Sequence, residues 1–98
     1  MKLTFKKITA SADQSDLIKA LKKIEKLAGD IQFVDTLSTM DEDMISLVYY
    51  VPCDEEDYPE MGKDILKITK SVKDWSATTQ YVKKEEAIQI KFVTKIGF

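Results

Sequence analysis

Histidine and arginine are absent from this 98-residue chain. Without histidine there is no Ser-His or Cys-His nucleophile pair and no imidazole-ligated metal. Without arginine there is no planar bidentate fork for phosphates or guanine edges. The single cysteine, Cys53, cannot close an internal disulfide, so nothing calls for an oxidising compartment. No apolar run approaches the roughly 20 residues that span a bilayer, and no secretory leader is recognisable at Met1-Lys2-Leu3-Thr4-Phe5. No linker, repeat or low-complexity stretch divides the chain, so one domain over 1–98 is expected. A membrane partner is not expected, and a cytoplasmic location is the default.

What is present is a segregated charge. Residues 29–62 hold ten carboxylates and no lysine. Residues 1–28 carry seven lysines against three acids, and residues 63–98 carry eight against four. The net −2 therefore hides two basic flanks around an acidic middle. With 44% apolar and 33% charged residues, the composition is that of a folded globular protein. Using lysine for every positive charge is what an AT-rich coding sequence produces. It is compatible with a bacterium, a phage or another virus; a viral or mobile-element protein would work in the host cytoplasm.

Hydrophobic periodicity supplies the elements. Leu3, Phe5 and Ile8 suggest a strand over 2–9. Ser11 to Gln14 has the capping-box pattern, and Leu17, Ile18, Leu21, Ile24, Leu27 and Ala28 predict a helix over 12–28 that stops at Gly29. Residues 31–38 read as a strand with one wet face. Residues 44–51 are apolar on both faces apart from Ser46, as in a central strand ended by Pro52. Asp57, Pro59 and Glu60 resemble a helix start, with Ile65, Leu66, Ile68, Val72 and Trp75 keeping the helical period to about 75. Residues 77–83 and 87–96 form an expected hairpin about Lys83–Glu86, with Ile88, Ile90, Phe92 and Ile96 on one face.

The element order βαββαββ predicts an α+β two-layer sandwich. Two helices would cover one face of a mostly antiparallel sheet, and the first six elements match the ferredoxin-like order. On that arrangement the Asp41–Asp43 turn and the Asp54–Asp57 turn lie at opposite ends of the sheet.

The chemistry-bearing features each have a plain alternative. Lys19, Lys22, Lys23 and Lys26, and then Lys63, Lys67 and Lys70, are spaced as solvated helix faces. The sheet face away from the helices would show Val48, Tyr50, Lys91, Val93 and Lys95, which invites self-association as a homodimer. It lacks the spaced aromatics with which RNA-recognition-motif sheets stack bases. Asp54, Glu55 and Glu56 follow Cys53 directly and disfavour its thiolate. Neither acid run has the spacing of a calcium cage. No catalytic residue, cofactor or metal ligand is expected.

These residues point to a small non-enzymatic interaction or regulatory protein. It would bind or inhibit a basic partner protein through an acidic surface drawn from 41–60. The expected contact residues are Asp41, Glu42, Asp43, Asp54, Glu55, Glu56, Asp57 and Glu60, with Tyr50 as an aromatic neighbour. The alternative is a nucleic-acid-binding module using the lysine stripes or the open sheet face. Phosphate binding is not favoured beside so many acids.

Overall fold

The computed structural model describes residues 14–40 and 43–95. Two α-helices pack on an antiparallel sheet, so the chain is an α+β fold. Helix α1 (Gln14–Ala28) is followed by two short strands, β1 (Gln32–Phe33) and β2 (Thr39–Met40). Strand β3 (Met44–Pro52) and helix α2 (Tyr58–Thr69) come next. Strands β4 (Ser76–Val82) and β5 (Ala87–Lys95) close the sequence of elements. The expected strand at 2–9, the first three residues of the capping box at 11–14 and Ile96 lie outside the described residues.

Strand β3 is central, as its two apolar faces predict. It pairs with β5 along its full length and with β1 and β2 on its other side, while β4 pairs with β5. The ferredoxin-like order turns on where residues 2–9 lie. In the described sheet it is β5 that sits between β3 and β4.

The register aligns one apolar face. Ile45, Leu47, Tyr49 and Val51 of β3 oppose Thr94, Phe92, Ile90 and Ile88 of β5. All eight are buried, and the apolar seven form one core with Leu17, Leu21 and Ile24 of α1 and Ile65 of α2. Alternation along β5 therefore reports its inward face correctly. Leu27 holds a helical apolar position yet is 42% exposed, at the outer border of the α1 stripe.

Three local readings need correction. Residues 31–38 are not one strand. After β1 the chain lifts into a single turn of 3₁₀-helix at Asp35–Leu37 and rejoins the ladder at β2. Ser38 makes this possible. Its hydroxyl donates to the Val34 carbonyl at 2.8 Å and accepts the Val48 N–H at 2.9 Å, standing in for a missing ladder bond. Helix α2 ends at Thr69 rather than near 75. The Thr69 and Ser71 hydroxyls bond the Leu66 and Ile68 carbonyls at 2.9 Å each, which competes with further helix. Val72 and Trp75 are buried all the same, because the connection folds back over the core. Asp74 reverses the chain there at φ 68°, and its carbonyl accepts a hydrogen bond from the buried Thr94 hydroxyl.

The third correction concerns the sheet face away from the helices. Val48 is only 2% exposed, and Tyr50 and Val93 are half-buried, so this face is less open than its sequence suggests. The arch over 34–38 hydrogen-bonds to the Val48 backbone on both sides and crowds that region.

Two glycines are required by geometry. Gly29 ends α1 at φ +90°, with its N–H on the Glu25 carbonyl at 2.9 Å. A Cβ there would meet nothing within 4 Å, so Gly29→Ala should cost only backbone strain, about 1–2 kcal/mol. Urea unfolding followed by the fluorescence of Trp75, the sole tryptophan, reads this directly; no change in midpoint would mean that the strain is relieved by fraying. Gly62 lies under the Tyr58 ring, which a Cβ would approach to 3.0 Å. Close packing thus explains a glycine that weakens the first turns of α2.

Candidate functional site: the acidic end of the sheet

The described acids of 41–60 lie at two ends of β3. Asp43 is exposed just before the strand begins, and Asp41 and Glu42 lie outside the described residues. Asp54, Glu55, Glu56, Asp57 and Glu60 are all exposed beyond its other end. Nine residues of strand separate the two groups, roughly 30 Å. Residues 41–60 are therefore not one surface. Tyr50 joins neither group. It is half-buried within β3, between Gln32 and Gln89 on the face away from the helices.

The second group is the better organised. Glu55–Asp57 form a turn of 3₁₀-helix that runs directly into α2, with the Asp57 N–H on the Asp54 carbonyl at 3.0 Å. Asp57 occupies the N-cap position of α2 but makes no side-chain capping bond. It and Glu60 act on the helix as charges only. Carboxylates there are favourable because the first-turn N–H groups carry partial positive charge.

The hairpin brings further acids to the same place. The register sets Pro52 opposite Ala87, and the Cys53 N–H donates to the Glu86 carbonyl at 3.1 Å. The Tyr81 hydroxyl donates to the Cys53 carbonyl at 3.0 Å. Glu86 sits in the left-handed region at φ 48°, closing the Lys83–Glu85 turn. Carboxylates from segments remote in sequence therefore share one end of the sheet, together with Lys83 and Lys84. A shallow cavity of about 380 Å³ lies among them, lined by Pro52, Cys53, Asp54, Asp57, Met61 and Glu86.

The electrostatics follow. Partial burial, then the charges of Asp57 and Asp54, push the Cys53 thiol above its ordinary pKa. Its S–H donates to the Asp54 carbonyl at 3.2 Å. Such a thiol is a poor nucleophile. Tyr81 is raised in the same sense, by partial burial first and then by Glu55, Glu86 and other anionic neighbours. Among the described residues no three acids or thiols converge to hold a metal ion.

Sequence reasoning missed Glu85 and Glu86, which read as an isolated turn. The available signal was the pairing of 44–51 with 87–96, which carries the hairpin turn to the end of β3. Elsewhere, Lys19, Lys22, Lys23 and Lys26 on α1, Lys63 and Lys67 on α2, and Lys70 at the C-cap of α2 are all exposed. No helix among the described residues is long and apolar enough to cross a membrane. No protein-family model, curated protein or solved structure matches the chain.

Proposed function

We propose that the chain is a small non-enzymatic interaction protein, one that binds or inhibits a basic partner protein through the acidic end formed by Asp54–Asp57, Glu60 and Glu86. One observation carries the proposal. Carboxylates from two remote segments are drawn together by the Cys53–Glu86 and Tyr81–Cys53 hydrogen bonds. Partial burial, and after it their charges, raise the pKa of Cys53 and Tyr81 between them. A fixed anionic surface steers a cationic partner and rejects anionic ones. The raised Cys53 thiol argues against nucleophilic catalysis there. A reduced, unpaired cysteine suits a cytoplasmic setting.

The test compares three variants. Asp54→Asn, Glu55→Gln and Glu56→Gln together should leave stability within about 0.5 kcal/mol, because all three side chains are exposed. Affinity for a cationic protein captured by the unmodified chain should fall about tenfold or more and lose its salt dependence. The Asp41→Asn, Glu42→Gln, Asp43→Asn triple asks whether the other end of β3 contributes. Lys19→Gln, Lys22→Gln and Lys26→Gln together should leave that binding close to unchanged. If the lysine triple abolishes activity while the acidic triples keep it, the helix layer is the binding surface. Nucleic acid then becomes the expected ligand, with salt-sensitive retention.

A further inference from the structure

Among the described residues, one long strand of this sheet has no strand partner at all on one side. β3 lies between β5 and the β1/β2 pair, and β5 lies between β3 and β4. Among the described residues, strand β4 is paired on one side only, to β5. Seven residues of backbone, Ser76–Val82, thus present alternate N–H and C=O groups outward. Edge strands ordinarily carry a lysine, a proline or a bulge that blocks further pairing. β4 reads Ser-Ala-Thr-Thr-Gln-Tyr-Val and has none of these. The chain has fifteen lysines, and not one falls on it.

We infer that β4 is a dimerisation edge, pairing antiparallel with β4 of a second copy about a two-fold axis at Thr79. The strand is complementary to itself in that register. Thr79 meets its own copy at the centre of the seven residues. Ala77 meets Tyr81 on the helix side, a small residue against a large one, and Thr78 meets Gln80 on the other side. Threonine pairs and aromatic partners are favourable across strands. The absence of charge matters most. A two-fold axis places like residues near like, so a lysine or acid near the centre of this strand would meet its own sign. A neutral strand in a chain that is one-third charged can meet itself without that penalty. The pairing makes one continuous sheet of two copies and leaves the acidic end of each exposed.

The experiment uses Thr78 and Gln80, exposed positions that lie opposite Lys91 and Gln89 of β5 within the chain. In the double variant Thr78→Glu/Gln80→Glu, the carboxylate introduced at position 78 faces Lys91 within the chain. Across the axis it faces the carboxylate introduced at position 80, and the two-fold repeats this clash. Thr78→Glu/Gln80→Lys keeps the first contact and turns the second into an attractive pair. Sedimentation equilibrium of the full chain at about 50 µM should return twice the 11.2 kDa mass for the unmodified protein and for the Glu/Lys variant. The Glu/Glu variant should dissociate at least about tenfold more readily, with unchanged circular dichroism. A monomeric unmodified chain would overturn the inference. A Glu/Glu variant that stays dimeric would move the interface elsewhere. Dissociation of the Glu/Lys variant to the same degree would reject the two-fold register.

Discussion

Phe92→Ala should remove about 3–5 kcal/mol, the largest single loss expected in this fold. Phe92 is fully buried at the middle of β5. It sits opposite Leu47 on one neighbour and Ala77 on the other, and its ring meets Tyr49 edge-on at 6.0 Å and 79°. Truncation empties the centre of the one core, where β3 and β5 are hydrogen-bonded along their whole length and leave the backbone little room to collapse. Domains of this size are stable by only about 5–15 kcal/mol, so the variant should be partly unfolded at physiological temperature. Urea unfolding followed by Trp75 fluorescence gives the number. A loss under about 1.5 kcal/mol would mean that neighbouring side chains refill the space.

Alkaline pH should weaken the fold through Tyr49, and Tyr49→Phe should remove much of that weakness. Tyr49 is 1% exposed, and burial holds its phenol well above the ordinary tyrosine pKa. In the unfolded chain the same phenol ionises near pH 10. Above that pH the unfolded state has released the proton and the folded state has kept it. The stabilisation from the neutral, buried phenol is therefore complete below about pH 10. It is lost at about 1.4 kcal/mol per pH unit as pH rises from there. The lysines titrate in the same range, which is why the comparison with phenylalanine is needed. Phenylalanine keeps the ring contacts, at 5.4 Å to Phe33 and 6.0 Å to Phe92, and loses only the ionisable group. Between neutral pH and about pH 11.5 the variant should gain roughly 2 kcal/mol on the unmodified chain. Stability curves that stay parallel across this range would show that the phenol finds solvent before the fold opens.

Elements were legible where one period or one residue type dominated. Alternation over 87–96 marked the inward face of β5, and the apolar run at 44–51, interrupted only by Ser46, marked the central strand. Gly29 marked the end of α1. Other features depended on contacts that no local pattern contains. Ser38 interrupts the second strand because its hydroxyl happens to lie beside Val48, ten residues away in sequence. Val72 and Trp75 continue the helical period of α2 and yet belong to a loop, since burial alone does not distinguish a helix from a connection folded over the same core. The acidic end had the same fate. Asp54–Asp57 were visible as a run, but Glu86 joins them only through the pairing of β3 with β5.

The arch at 34–38 bears on how far assembly can proceed. Beyond β3 the described sheet has only β1 and β2, two residues each, with a side-chain hydroxyl plugging the gap between them. Among the described residues, that border offers no continuous strand to template a long incoming one. A sheet with one receptive border and one blunt border can join a copy of itself once and then has nowhere to add a third. Pairing through β4 would thus end at a closed pair instead of running on into a fibre. In such an assembly the Ser38 hydroxyl, by tying the arch to β3, keeps the far border of the described sheet from presenting one continuous strand.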